Sequence, residues 1–136
     1  MADKLISSIT ESIGVWAGKT FLIVEDVVSN YYYLEATLKK SGVNLVWAKS
    51  GEEALELIDN SKPYDLVLMD VQLTGIDGYE VTRKIKEKNS SIPIIAQTAY
   101  AMLGEKEKSQ FAGCDEYLSK PIRPTILLQT ISKLIS

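Results

Sequence analysis

The residues best suited to chemistry in this chain are carboxylates that close short apolar runs. Asp70 follows the run 66–69, and Glu25 and Asp26 follow the run 20–24. An Asp carboxylate can act as a nucleophile toward phosphorus. Clustered carboxylates resist ionisation unless a cation lies among them, and a hard divalent ion binds oxygen ligands of this kind. These residues therefore indicate metal-assisted phosphoryl chemistry.

Two further polar residues close apolar runs later in the chain. Thr98 follows the run 92–97, and Lys120 follows the run 116–119. Because parallel strands share one direction, their C-terminal ends meet at one edge of a sheet, where ligands bind. We assign Asp70 as the nucleophile, Lys120 as a compact charge for the phosphoryl oxygens, and Thr98 as a hydroxyl donor to the same group.

The expected metal ligands surround this nucleophile. Asp26 would bind the ion directly, and Glu25 directly or through water. The backbone carbonyl of Gln72, just past Asp70, could add an oxygen. Mg²⁺, or Mn²⁺ in its place, is the cofactor that we expect, because it takes one or two carboxylates, waters and a substrate phosphate.

Apolar periodicity predicts the elements that position these residues. Strands are predicted over 20–24, 44–48, 64–69, 92–97 and 116–119. Helices are predicted over 29–41, from a cap at Ser50, over 78–88, over 101–112 and from Pro124. Five strands alternating with five helices predict an α/β fold, in which a parallel sheet is covered by helices on both faces.

Composition restricts the class of protein. The 136 residues suit one domain, and no apolar run approaches the ~18 residues of a membrane helix. The net charge of -3 gives no electrostatic reason to expect that the chain binds nucleic acid directly. With no histidine and one cysteine, the chain cannot form a Ser–His or Cys–His pair, a Cys/His zinc site or an internal disulfide. The lack of a signal-peptide pattern predicts a cytoplasmic protein.

Residues 1–18 precede the first predicted strand. Ile9, Ile13 and Trp16 are spaced as in a short amphipathic helix, and a linker with little fixed structure is the alternative. We therefore predict an N-terminal extension or linker over 1–18 and a domain over 19–136.

The ordered motifs over 20–135 resemble the receiver domain of two-component response regulators. These motifs are Leu22-Ile23-Val24-Glu25-Asp26, Met69-Asp70-Val71-Gln72, Asp77-Gly78-Tyr79-Glu80, Pro93-Ile94-Ile95-Ala96, Thr98-Ala99 and Tyr117-Leu118-Ser119-Lys120-Pro121. The segments 16–19, 79–80 and 98–101 look most like receivers of hybrid sensor histidine kinases, in which case 1–18 would be the end of a linker.

The resemblance implies a flavodoxin-like doubly wound (βα)5 fold with strand order 2-1-3-4-5. It implies a Mg²⁺-dependent phosphoaspartate at Asp70, formed from the phosphohistidine of a histidine kinase or histidine phosphotransfer domain. Such a domain is a phosphoacceptor in a phosphorelay and not an enzyme, since it catalyses only its own phosphorylation and dephosphorylation.

A switch is also implied by the resemblance. Thr98 would move toward the phosphoryl group and Tyr117 would turn inward behind it, which changes the face made by helix 4, strand 5 and helix 5. Dimerisation through that face is left open. The Lys120–Pro121 bond is expected to be cis.

Some positions depart from the commonest receiver pattern. Leu73-Thr74 stands where many members have Met-Pro, and we expect it to loosen the loop after Asp70 without touching the ligands. Gln72 and Tyr100 are expected to flank the phosphoryl group, which leaves the lifetime of the phosphorylated state open.

Three other classes of protein share part of this pattern. A haloacid-dehalogenase-like phosphohydrolase also uses an Asp nucleophile with Mg²⁺, but Gln72 stands where its second acid should be. A flavodoxin should have a Ser/Thr/Gly-rich phosphate loop where this chain has Glu25-Asp26. A pseudo-receiver that acts only as a docking module would not need the intact acidic set.

Overall fold

The computed structural model describes residues 8–60, 63–99 and 104–135, and these ranges contain five strands and five helices. The strands are β1 (Thr20–Val24), β2 (Asn44–Ala48), β3 (Leu66–Asp70), β4 (Ile94–Thr98) and β5 (Glu116–Ser119). The helices are α1 (Val28–Leu38), α2 (Gly51–Asn60), α3 (Gly78–Lys88), α4 (Glu105–Ala112) and α5 (Pro124–Ile135). None of these helices has both the length and the apolar character needed to cross a membrane.

The strands form one sheet in the order β2-β1-β3-β4-β5, and every neighbouring pair is parallel. This arrangement confirms the predicted flavodoxin-like α/β fold. The register places Val24 beside Met69 and Asp70 beside Gln97. The C-terminal ends of β1, β3 and β4 therefore lie together at one edge.

Both faces of the three central strands β1, β3 and β4 are buried, and successive strand residues alternate between the faces. Val67 and Met69 belong to the core cluster that includes α2 and α3 residues, whereas Leu66 and Leu68 pack with residues of α1 and α5. All five residues of β3 are buried. A strand covered on both faces is expected to be apolar throughout, which explains why it reads as a continuous apolar run.

Two strands begin later than predicted and include the functional residue at their end. β3 starts at Leu66 and includes Asp70, and β4 starts at Ile94 and includes Thr98. Pro93 precedes β4 because proline has no N–H to donate to the ladder. The shift brings Asp70 and Thr98 into the hydrogen-bonded sheet, so the sheet itself holds their backbones.

The predicted helices are found with altered ends. α1 ends at Leu38 and continues as a 3-10 turn (Lys39–Ser41), after which Gly42 has a φ of 81°. The predicted start of the fourth helix, at residue 101, lies outside the described residues. Tyr31 is buried while Tyr32 and Tyr33 are exposed, because consecutive helical residues point in different directions.

Residues 8–18 form successive turns and not the amphipathic α-helix suggested by the apolar spacing. The Gly14 amide donates to the carbonyl of Lys40 at 2.8 Å, and the Trp16 amide donates to the carbonyl of Ser41 at 2.9 Å. Trp16 is 4% exposed, and its ring centroid lies 5.5 Å from that of Phe21. These turns therefore pack against the domain, and the boundary at residue 19 stays a prediction.

Candidate functional site

Three carboxylates meet at the C-terminal edge of the sheet. Glu25 and Asp26 directly follow β1, and Asp70 ends β3. One carboxylate oxygen from each of the three lies within 4.8 Å of the other two. Glu25 is fully buried and Asp70 is 2% exposed, while Asp26 is half-buried. The sequence prediction that these acids form one cluster is confirmed.

Lys120 supplies a positive charge to this cluster. Its Nζ lies 3.2 Å from Oε1 of Glu25 and 3.3 Å from Oδ2 of Asp70. Lys120 directly follows β5, and its amide donates to the carbonyl of Thr98 at 2.7 Å. The Lys120–Pro121 peptide bond is cis, as expected. One ammonium therefore faces two buried carboxylates and leaves an excess of negative charge.

The burial and the excess negative charge of this cluster change the ionisation of Glu25. The pKa of the Glu25 carboxyl is raised from 4.5 to about 7, chiefly by burial and then by the hydrogen bond and negative charge of Asp70, while Lys120 and the Val27 amide act to lower it. Without a metal ion, the cheapest way to relieve the repulsion is to keep a proton on Glu25. A divalent cation would replace that proton, so the donor set and its charge fit Mg²⁺.

Three hydrogen bonds hold Glu25 and the turn in which it lies. The Val27 amide donates to Oε2 of Glu25 at 3.2 Å, and the Glu25 amide donates to the carbonyl of Ala48 at 3.0 Å. Nε1 of Trp47 donates to the carbonyl of Glu25 at 2.8 Å. The acidic turn is thus tied to β2, the neighbour of β1.

Asp26 has a partner that the sequence prediction excluded. The amide and the hydroxyl of Thr74 both donate to Oδ2 of Asp26, at 3.0 and 2.9 Å. We expected the Leu73-Thr74 pair to loosen the loop after Asp70 without touching the ligands, and this was wrong for Thr74. Threonine, unlike proline, carries both a backbone and a side-chain donor.

Gln72 links two loops at the same edge. Its amide donates to Oδ1 of Asp70 at 2.9 Å, and its Oε1 accepts from the amide of Ala99 at 3.0 Å. A Cβ at Gly78 would lie 2.3 Å from the carbonyl oxygen of Asp70, so α3 can begin this close to β3 only with glycine. The contacts of Gln72 join the loop after Asp70 to the residue that follows β4, and the close approach of Gly78 brings the start of α3 against the end of β3.

The two residues assigned to a switch lie on neighbouring strands. Thr98 ends β4 and is 1% exposed, and Tyr117 lies on β5 beside Ala96, where it packs against the cluster on the α2 and α3 face. Burial raises the pKa of Tyr117, with a further contribution from the negative charge of Glu105. The hydroxyl of Tyr79 also donates to Glu105, at 2.7 Å, so the first residue of α4 contacts α3 as well.

The tertiary structure therefore brings Glu25, Asp26, Asp70, Lys120 and Thr98 to one sheet edge. Tyr100, expected to flank the phosphoryl group, lies outside the described residues. The sequence prediction missed the side-chain contacts of Thr74 and Gln72. The only sign of these contacts in the sequence is that both residues are polar and lie in the loop after the nucleophile. No periodic pattern indicates which residues they contact.

Comparison with known proteins identifies close similarity to one family. The family model for the response regulator receiver domain matches residues 21–132. The polar-differentiation response regulator DivK of Brucella ovis is 40% identical over 119 residues, which cover 86% of this chain and 96% of DivK. Hybrid signal transduction histidine kinase I of Dictyostelium discoideum is 39% identical over 122 residues, which cover 84% of this chain but 7% of that kinase.

A solved structure shows the same similarity. The crystal structure of the receiver domain of sensor histidine kinase PA1611 from Pseudomonas aeruginosa has a magnesium ion coordinated in its active site cleft. It is 35% identical with a TM-score of 0.80, and the match covers 88% of this chain and 98% of that chain.

Proposed function

This chain belongs to the response regulator receiver family and acts as a phosphoacceptor in phosphorelay signalling, and from that premise we propose that Asp70 accepts the phosphoryl group. The observation that carries the proposal is the position of Asp70 between two acids and an ammonium: its Oδ2 lies 3.3 Å from Nζ of Lys120, within the cluster of Glu25 and Asp26. An aspartate in such a site can attack phosphorus without a general base.

We propose that Glu25, Asp26 and Asp70 hold Mg²⁺, with Mn²⁺ as a substitute and the backbone carbonyl of Gln72 as a further oxygen ligand. The support is the 4.8 Å grouping of the three carboxylates and the Lys120 ammonium, which faces two of them. When bound, the ion would neutralise charge on the carboxylates and on the equatorial phosphoryl oxygens.

In the proposed transfer, a carboxylate oxygen of Asp70 attacks the phosphorus of a phosphohistidine on a histidine kinase or histidine phosphotransfer domain. The new O–P bond forms as the P–N bond breaks. The electron pair of the P–N bond stays on the imidazole nitrogen, which takes up a proton from solvent. Lys120 contributes positive charge and Thr98 a hydroxyl hydrogen bond to the phosphoryl oxygens.

The proposed output is a change at the face formed by α4, β5 and α5. Thr98 would move toward the phosphoryl group, and Tyr117 would turn into the space behind it. Thr98 and Tyr117 lie on adjacent strands, with Thr98 paired to Ser119 and Tyr117 to Ala96. A local change in charge at Asp70 can thus bias a surface on the neighbouring strand.

The phosphoacceptor proposal is tested with acetyl phosphate and Mg²⁺, followed by intact-mass analysis. Wild-type protein should gain the mass of one phosphoryl group in a Mg²⁺-dependent manner, and Asp70→Asn should gain none. Asp65→Asn is the matched control, because Asp65 precedes the same strand at the opposite edge, where it accepts from the Thr20 amide at 2.8 Å.

The controls decide the outcome. The Asp65→Asn variant should be modified as wild type is. A wild-type protein without a Mg²⁺-dependent adduct, or an Asp70→Asn variant with an unchanged adduct, would contradict the proposal.

A further inference from the structure

Thr74 makes two hydrogen bonds to a single oxygen of Asp26. The backbone amide donates at 3.0 Å and the hydroxyl at 2.9 Å, both to Oδ2. The two residues are 48 positions apart in the chain. Thr74 lies in the loop between β3 and α3, just past the proposed phosphoacceptor, and Asp26 lies in the turn between β1 and α1.

These contacts decide how the Asp26 carboxylate is oriented. A carboxylate oxygen has two lone pairs, and both of those on Oδ2 have a donor from Thr74. Hydrogen bonds to an ionised acceptor are shorter and stronger than neutral ones. Within the described ranges, no other hydrogen bond reaches the Asp26 side chain. α1 does not hold it either, because the N-cap of α1 is Val27, which has no side-chain cap.

We propose that Thr74 is a positioning residue for the metal site, which holds Asp26 in the orientation that binds Mg²⁺. This inference rests on the proposed function of Glu25, Asp26 and Asp70 as ligands. With Oδ2 occupied by the two donors, Asp26 offers its other oxygen to the cluster in a fixed direction. Partners that orient metal ligands typically contribute a factor of about 10 to 100 in affinity.

The inference links metal binding to the loop after the nucleophile. Thr74 follows Asp70 by four residues, and the amide of Gln72 between them donates to Oδ1 of Asp70. One short loop therefore contacts both a proposed ligand and the proposed nucleophile. Metal binding should accordingly restrict this loop, and loss of the Thr74 donors should weaken metal binding.

The test is calorimetric titration of Mg²⁺ into metal-free protein, without a phosphodonor. Thr74→Val keeps the amide and loses the hydroxyl, and it should raise the Kd about tenfold. Thr74→Pro loses both donors and should raise it more, up to about a hundredfold. Thr74→Ser keeps both donors and should bind as wild type does. Thr10→Val, at an exposed threonine in the N-terminal turns, is the matched control and should also bind as wild type does.

A second readout does not depend on the metal. In metal-free wild-type protein the Thr74 amide should be protected from hydrogen exchange, and Asp26→Ala should remove that protection. Circular dichroism of each variant separates loss of folding from loss of binding, and Thr74→Val keeps the test valid if Thr74→Pro does not fold.

The outcomes separate this inference from the proposal on which it rests. If wild-type protein does not bind Mg²⁺, the proposed metal site itself is wrong. If wild type binds Mg²⁺ and folded Thr74→Val and Thr74→Pro bind it equally or more tightly, the role of Thr74 alone is overturned.

Discussion

The surroundings of Glu25 change the ionisation of its carboxyl strongly. It has no exposed surface, and burial with the nearby Asp70 raises its pKa to about 7. In the unfolded chain the same carboxyl ionises near 4.5. The folded, metal-free protein therefore binds a proton more tightly than the unfolded chain does, and its stability must fall as Glu25 ionises between these two values.

We expect Glu25→Gln to reveal this effect in metal-free protein. Glutamine has nearly the same shape and carries no charge. The melting temperature of the variant should rise relative to wild type as the pH increases from about 5 to about 8, because only wild type must ionise a buried group in that window. Thermal denaturation in EDTA at several pH values measures it.

Mg²⁺ provides the complementary measurement. It should stabilise wild type at pH 8, when Glu25 is ionised, more than at pH 5, and should stabilise Glu25→Gln less than wild type at pH 8. Glu87→Gln, at an exposed position in α3, should follow wild type throughout. A difference between wild type and Glu25→Gln that is constant from pH 5 to pH 8 would contradict the expectation.

At the scale of elements, the turns over 8–18 pack against the folded domain. Two backbone hydrogen bonds join them to Lys40 and Ser41, and Trp16 enters the core cluster that lies between the sheet, α1 and α5. The same segment also leaves Ile13 62% exposed. Apolar spacing alone does not distinguish these two residues, because their burial depends on how the turns meet the domain.

The difference in burial between Trp16 and Ile13 allows a matched pair of substitutions. Trp16→Ala should reduce the free energy of unfolding by about 3–5 kcal/mol, since it removes a large buried side chain next to Phe21. Ile13→Ala should change it by less than about 0.5 kcal/mol. Urea denaturation measures both variants. A Trp16→Ala variant as stable as wild type would indicate that the segment is a linker that contributes nothing to the domain.

For the whole molecule, the parallel sheet connects the proposed phosphoryl site to the proposed output face. Lys120 reaches into the acidic cluster and is the first residue after β5, which carries Tyr117. Glu105 opens α4 and contacts Tyr79 of α3, so α4 is also in contact with its neighbour. A displacement of Lys120 would therefore be transmitted directly to β5.

We expect Lys120→Ala to separate binding from switching. Mg²⁺ affinity should remain largely unchanged, because the three carboxylates stay in place. Activation by Mg²⁺ and beryllofluoride should no longer shift the amide resonances of Tyr117 and α4. Two-dimensional ¹H–¹⁵N NMR spectra of wild type and variant, with and without beryllofluoride, provide the measurement.

Lys133→Ala is the control for this experiment. Lys133 lies on α5 and pairs with Glu116 of β5 at 3.6 Å, so the substitution removes a lysine from the same face without touching the acidic cluster. It should preserve the response of Tyr117. If activated Lys120→Ala shows the wild-type shifts around α4, the proposed coupling through Lys120 is incorrect.

Apolar periodicity and the residues at strand ends were sufficient to predict the sheet, its helices and the cluster of Glu25, Asp26 and Asp70. A strand buried on both faces must be apolar, and parallel strands must deliver their last residues to one edge. These constraints are local or topological, so they can be read in order along the chain. β3 and β4 start two residues later than predicted and end one residue later, because backbone pairing continues through the polar residue at which apolarity stops.

Only the tertiary structure decided which loop side chains contact the cluster. Thr74 bonds to a residue 48 positions away, and Gln72 to one 27 positions away. Such contacts depend on how two loops without periodicity approach each other across the sheet edge. The raised pKa of Glu25 has the same origin, because burial and the proximity of Asp70 exist only once β1 and β3 lie side by side.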